Sequence, residues 1–303
     1  MILKYERAQA KRRRNLERLS IPSQFFHLIN FAVRRPTTLI EKGALITSID
    51  VDVGSRLIGE MNKGKNDISV HEFLTEERIG EIEENTIPLL IGFFDSLEIP
   101  VTFAIRGQLT ETKSTALGLL LESPIRHDIG AHGYSHKTFT SLSTLEAQSE
   151  LELISSGMKK LDINPKSFVF PKDKVAHLDL LERFGYECYR GEGGLGKDEM
   201  RIRKQGRLYD IRPGFHLGAT YDPLFINRMI DISTRNKLPF HLWFHPRDIY
   251  ETRGRAIPAN INHVLLPIYK YAKNKEKAGE LSFETMYSMI GKISPTCSRG
   301  RAQ

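Results

Sequence analysis

Two cysteines, Cys188 and Cys297, are all that the 303 residues contain, which excludes a disulfide framework and suits a cytoplasmic protein. There is one tryptophan, Trp243. No uninterrupted apolar run is long enough to span a bilayer, and the N-terminus lacks the continuous apolar core of a secretory signal. Repeats and low-complexity tracts are missing as well. The formal charge of +7 suggests a polyanionic partner, yet neither a zinc-finger spacing nor an RNA-binding motif accompanies it, so no specific nucleic-acid partner is expected.

Apolar strand-like runs alternate with helical stretches, which favours a single α/β unit. The expected strands are Ala44–Val51, Pro100–Ile105, Asp128–Ala131, Ser167–Phe170, Tyr186–Tyr189, Tyr209–Arg212 and Phe240–Phe244. Apolar spacing predicts helices over Glu76–Leu97, Thr144–Leu161, Val175–Phe184 and Pro223–Asn236. Ser143, three residues before Glu146, offers a capping box for the second of these. Both ends extend past this core. Residues 1–40 carry the run Lys11-Arg12-Arg13-Arg14 and then Phe25, Phe26, Leu28, Ile29 and Phe31; residues 251–303 form a basic, helical C-terminal extension expected to pack on the catalytic unit of residues 41–250. The N-terminal segment reads as a helix packed on the core with a solvated basic face, with peripheral membrane contact as the sharper alternative.

Three short pieces carry the chemistry: Ser48-Ile49-Asp50-Val51-Asp52-Val53-Gly54, Ala131-His132-Gly133-Tyr134-Ser135-His136 and Leu242-Trp243-Phe244-His245-Pro246. A catalytic divalent metal usually takes three protein ligands and leaves one position open; imidazoles with one carboxylate are common donors for zinc. Asp52, His132 and His136 supply that set. Asp50 is two residues from Asp52, so strand alternation points both carboxylates to one side, and one can bind metal while the other accepts a proton. His132 and His136 share a face if their stretch enters a helix, although Gly133 favours a looser turn. Taken alone, two aspartates at a strand end are a turn or a helix N-cap, and a His-x-x-x-His spacing arises by chance among ten histidines. Their coincidence at the ends of apolar strand-like runs, where ligand sites gather in α/β folds, is what gives them weight.

Asp50-Val51-Asp52 with Gly54, followed by Gly130-Ala131-His132-Gly133-Tyr134-Ser135-His136, resembles the first two motifs of the polysaccharide deacetylase family, the NodB homology or carbohydrate esterase 4 group. The resemblance spans about residues 44–250 in motif order and implies a distorted, incomplete (β/α)7 barrel with seven strands. It also implies one divalent metal, Zn2+ with Co2+ or Mn2+ as alternatives, held by Asp52, His132 and His136, with Asp50 as catalytic base. The apolar strand ending in His245 resembles the fifth motif, in which the histidine is the general acid, and Trp243 beside it is a candidate to line the sugar site.

The third motif departs from the family. Its usual form is Arg-x-Pro followed by an aromatic residue, with the arginine holding the base and a backbone N–H after the proline serving the oxyanion. The chain reads Phe168-Val169-Phe170-Pro171-Lys172, so Pro171 and the Lys172 N–H remain while Val169 stands at the arginine position. Lys172 is one candidate for the missing charge. The Asp-x-x-Asp-Trp fourth motif is absent, the nearest run being Tyr189-Arg190-Gly191-Glu192.

The implied reaction is hydrolysis of the acetamide of an N-acetylated sugar, in a polysaccharide or a nucleotide- or lipid-linked precursor, to free amine and acetate. The alternatives are a hydrolase of a non-sugar linear or cyclic amide on the same fold and a catalytically inactive NodB-like binding protein. A non-haem iron oxygenase also uses two histidines and one carboxylate, but its ligands form a close His-x-Asp pair, unlike the spacing here. His71, His177, His216, His241 and His263 read as structural or surface residues. Of these, His216 follows a predicted strand end, where a pocket residue can sit.

Overall fold

A computed structural model describes residues 40–53, 80–111, 114–191, 200, 202–212, 214–217, 222–250 and 260–293. The N-terminal extension, the start of the helix expected from Glu76, and Cys297 lie outside the described residues. The strands are β1 (Gly43–Val51), β2 (Thr102–Ile105), β3 (Asp128–Ala131), β4 (Ser167–Val169), β5 (Cys188–Arg190), β6 (Ile202–Gln205), β7 (Leu208–Ile211), β8 (Phe215–His216), β9 (Pro239–Phe244) and β10 (Leu281–Glu284). The helices are α1 (Ile87–Ser96), α2 (Thr115–Glu122), α3 (Thr144–Lys159), α4 (Leu178–Arg183), α5 (Pro223–Asn236), α6 (Pro246–Tyr250), α7 (Leu266–Lys277) and α8 (Met286–Ile290).

The strands form one sheet in the order β6-β7-β5-β4-β3-β2-β1-β9-β8, with β10 also on β1. From β7 to β9 the seven expected strands lie side by side and parallel. Three strands are additional. β6 pairs antiparallel with β7, the two joined by the tight turn at Gly206-Arg207. β8 is only two residues long and pairs with Leu242 and Trp243. β10 comes from the segment expected as a helical extension, and it extends the sheet past residue 250. It pairs Leu281–Glu284 with Gly43–Ile46, on the lower part of β1, while Ser48–Val51 pair with β2. The sheet is therefore a distorted, open barrel with more strands than the seven expected.

Alternation along β1 divides the core in two. Leu45, Ile49 and Val51 face the helices with Phe103, Phe168, Phe240 and Leu242, whereas Ala44 and Ile46 face the barrel interior with Ala104, Val169, Cys188 and Ile211. Met286 and Met289 of α8 join the second group and fill the lower end of the barrel. Because helices and interior cover both faces, β1 is buried at every position. Each fully buried Leu, Ile or Phe here contributes about 1.5–3 kcal/mol. On the same inward row as Ala44 and Ile46, two and four residues further on, come Ser48 and Asp50.

The helices begin where their sequences say they should. Ser143 accepts a hydrogen bond from the Glu146 N–H while the Glu146 carboxylate accepts one from the Ser143 N–H, the expected capping box. Asp222 caps α5 through the Leu224 N–H, with Pro223 in the first turn, where its missing N–H costs nothing. Among the described residues no helix is long and apolar enough to cross a membrane.

Candidate active site at the C-terminal ends of the strands

Every chemistry-bearing residue singled out in the sequence sits at or just beyond the C-terminal end of a parallel strand, where barrel folds place their sites. Asp50 is the second-to-last residue of β1 and Asp52 lies just beyond its end; both are buried. His132 comes directly after β3. The stretch from His132 to His136 does not enter a helix. It is a loop in which Gly133 (φ 65°) and His136 (φ 62°) both adopt left-handed backbone. At Gly133 a side chain would be strained and its Cβ would stand 3.1 Å from Pro171 Cγ. Pro171 thus packs against the loop and helps to set its path.

Glu150, buried on α3, fixes that loop by accepting hydrogen bonds from the N–H groups of Tyr134 (3.0 Å) and Ser135 (2.8 Å) and from the Ser135 hydroxyl (2.5 Å). The result brings the His132 and His136 rings to 4.8 Å between centroids and places His136 Nε2 3.5 Å from Asp52 Oδ2. The ligand atoms of Asp52, His132 and His136 all lie within 4.8 Å of one another.

The donor set fits a divalent cation. His132 Nδ1 donates to the Val169 carbonyl at 2.8 Å, which leaves Nε2 as the lone-pair nitrogen, buried and without a hydrogen-bond partner. An orphaned buried acceptor is costly, and a cation beside it removes that cost. Burial holds both imidazoles neutral, as metal ligands must be: His132 is pushed down by burial despite Asp50 and Asp52, and His136 is pushed to about 3 by burial and by His132. Asp52 stays ionised because Arg247, with the three histidines, outweighs its burial; Arg247 Nη1 donates to Oδ1 at 2.6 Å and leaves Oδ2 turned toward His136.

The missing arginine is present, one strand away. Val169 on β4 is in register with Arg190 on β5, and Arg190 points into the barrel from the neighbouring position. Its Nη1 donates to Asp50 Oδ1 at 2.7 Å and to Ser48 Oγ at 2.9 Å, and its Nη2 donates to Asp50 Oδ2. This forked, fully buried pair fixes the plane of the Asp50 carboxylate. Burial raises the Asp50 pKa, but Arg190, then His132 and His245, bring it down to about 2. Lys172 does not supply this charge. Its side chain is exposed, and its backbone is left-handed (φ 56°) in the turn Pro171–Asp173. That turn is closed by hydrogen bonds from Asp173 N to Phe170 O and from Lys174 N to Pro171 O, bonds in which the Lys172 N–H takes no part.

His245 follows β9 and places Nε2 3.9 Å from Asp50 Oδ2 and 4.0 Å from Asp52 Oδ2. Its other ring nitrogen is held by Asp248, whose Oδ2 accepts from His245 Nδ1 at 3.0 Å and from the His245 N–H at 2.8 Å. Asp248 is kept ionised: burial raises it, but His245 and His216 lower it further. Trp243 is only half-open, since the His216 ring stacks on it at 4.1 Å and the Arg190 guanidinium carbon lies 4.3 Å from its centroid.

Asp50, Asp52, His132, His136 and His245 are thus brought together. Arg190, Asp248, Arg247, Glu150 and Asp173, whose Oδ1 is 3.4 Å from Arg190 Nη2, were not found by sequence reasoning. Two of them left a signal. Arg190 is a charged residue ending an apolar strand, in phase with the inward row. Asp248 follows His245 by three residues across Pro246, the spacing of a first helical turn.

Fold and site together define an open, distorted α/β barrel that carries an Asp/His cluster able to hold a metal ion at the C-terminal ends of its strands. Residues 79–188 match the polysaccharide deacetylase family model, a span that contains His132, His136 and Pro171 but stops before Arg190 and His245. The structure resembles a Mycobacterium smegmatis protein assigned to the polysaccharide deacetylases (15% identity, 88% of this chain and 99% of that one, TM-score 0.65). It also resembles Puue allantoinase (15% identity, 88% and 95% covered, TM-score 0.62) and a Pseudomonas aeruginosa PAO1 protein assigned as a polysaccharide deacetylase (13% identity, 82% and 90% covered, TM-score 0.62). At these identities the likeness is one of fold. No curated protein matches the chain by sequence.

Proposed function

We propose that the protein is a metal-dependent deacetylase that hydrolyses the acetamide of an N-acetylated sugar, in a polysaccharide or a nucleotide- or lipid-linked precursor, to free amine and acetate. The observation that carries this reading is the unpartnered, buried Nε2 of His132 facing Asp52 and His136, within reach of one carboxylate and one imidazole suited to proton transfer. A divalent cation, Zn2+ with Co2+ or Mn2+ as alternatives, would be held by Asp52, His132 and His136 and would supply Lewis acidity and acidify a water. The protein's own groups do the rest. Asp50, locked in plane by Arg190, takes the proton of the attacking water. The Lys172 N–H, left over by its own turn, is available to the developing oxyanion. His245 has Nδ1–H committed to Asp248, so its Nε2 is the nitrogen that delivers a proton to the departing amine.

A linear or cyclic non-sugar amide is the second reading, favoured by the relocated arginine and by the fold shared with an allantoinase. The test is acetate release from N-acetylglucosamine oligomers by metal-stripped protein, with and without added zinc, cobalt or manganese, beside a panel of cyclic ureides. Metal-dependent acetate with no ureide turnover is expected. Ureide turnover alone would overturn the sugar assignment, and no turnover of either would favour the inactive, binding-protein reading.

A further inference from the structure

His216 and Trp243 are register partners on β8 and β9, with rings 4.1 Å apart and inclined by only 22°. The stack holds His216 Nε2 at 2.8 Å from Asp248 Oδ2, the oxygen that also accepts from His245 Nδ1 at 3.0 Å. An ionised carboxylate only accepts hydrogen bonds, so both ring nitrogens face it as N–H donors. The three groups also satisfy the spacing of a cation site. Two ring nitrogens meeting one oxygen at 2.8 and 3.0 Å are, however, ordinary N–H to carboxylate distances. Rotation of an aspartate carboxylate about its last torsion is broad and soft. The bonds to this oxygen from the His245 ring and the His245 N–H both come from His245 itself, and His216 adds a donor from a separate strand. The indole on which His216 rests is also the one beneath Arg190. The residue that orients Asp50 and the residue that orients Asp248 are therefore braced against the same side chain.

We propose that His216 is a positioning residue for His245, fixing the acid's ring through their shared Asp248 oxygen, and that Trp243 is the strut that sets His216 rather than an open platform for sugar. The proposal rests on the reading of His245 as general acid. It is tested with His216→Phe, which keeps a flat ring on Trp243 but loses the donor, and His216→Gln, which keeps a donor. Both are expected to melt like wild type and to hold the same metal content. In His216→Phe, kcat should fall about tenfold or more, the worth of one charge-assisted hydrogen bond, with KM little changed. His216→Gln should stay closer to wild type. The low-field imidazole N–H resonance of His245 should persist in wild type and His216→Gln and vanish in His216→Phe, and this readout needs no substrate. Unchanged kcat and resonance in His216→Phe, a rise confined to KM, or the loss of a second metal equivalent would each overturn the proposal. If wild type releases no acetate, the deacetylase reading fails and the resonance decides this one alone.

Discussion

Asp52, His132 and His136 are assembled differently from Asp50 and His245, although the two groups share one pocket. The first set comes from two short segments, and its two histidines are placed through backbone, by a left-handed loop, a carbonyl on His132 Nδ1 and the Glu150 carboxylate on two successive N–H groups, while Asp52 alone takes a side-chain partner, Arg247. The second set is held by side chains. Asp50 depends on an arginine 140 residues away, and His245 on an aspartate one turn later. The histidine pair cannot move without rebuilding the loop. A side-chain partner can come from any strand whose inward position reaches the same point, as Arg190 shows.

The difference predicts separable failures. The largest is loss of the cation: His136→Ala should abolish stoichiometric zinc, measured by elemental analysis of purified protein after zinc loading, and with it all activity. One retained equivalent would remove His136 from the ligand set. His245→Ala should instead retain the metal while losing about 100- to 10,000-fold in kcat, the usual contribution of a positioned acid or base. Full activity would exclude His245 from proton transfer.

Arg190 stands next. Arg190→Met leaves Asp50 buried without its counter-charge and should cost about 3–5 kcal/mol in urea melts at pH 7, besides lowering activity. If side-chain support is as transferable as the geometry implies, the double variant Val169→Arg/Arg190→Val should regain part of that activity, because the two positions are register neighbours on the inward row. A folded double variant no more active than Arg190→Val would show that the approach from β5 is itself required.

Much of this was legible in the sequence wherever information is local. The expected limits of the strand Asp128–Ala131 and the helix Pro223–Asn236 match the structure, and the capping box at Ser143 formed as its spacing implied. The facing of Asp50 followed from alternation. What was not legible depends on register between distant strands. Val169 looked like a vacancy because nothing in the chain announces that β4 and β5 pair with Val169 beside Arg190. β10 was missed because four residues in a basic tail make a strand only when the lower edge of β1 is open to receive them. His241 looked like a surface or structural residue, and its actual setting, deep in the barrel, comes only from the fold.

That setting gives the smallest and most specific test. His241 is buried, with Nε2 2.8 Å from Ser48 Oγ and Nδ1 3.2 Å from the Arg212 carbonyl, and Ser48 Oγ already accepts from Arg190. The Arg212 carbonyl can only accept, so Nδ1 carries a proton, and in the neutral ring Nε2 then accepts from the Ser48 hydroxyl. Burial, then the nearby Arg190, lower the His241 pKa to about 3 from the ordinary histidine value of 6.5. The unfolded chain binds this proton below pH 6.5 and the folded chain does not, so stability from this residue is complete above pH 6.5 and is lost as pH falls toward 3. The slope is about 1.4 kcal/mol per pH unit. His241→Asn keeps a polar side chain but does not titrate. Its urea-melt stability is expected to start below wild type at pH 7 and to decline less steeply between pH 6 and 4 by about one proton's worth. Parallel declines would mean that the ring is already protonated in the fold, and that the line from Asp50 through Arg190 and Ser48 ends on a cation rather than on a neutral acceptor.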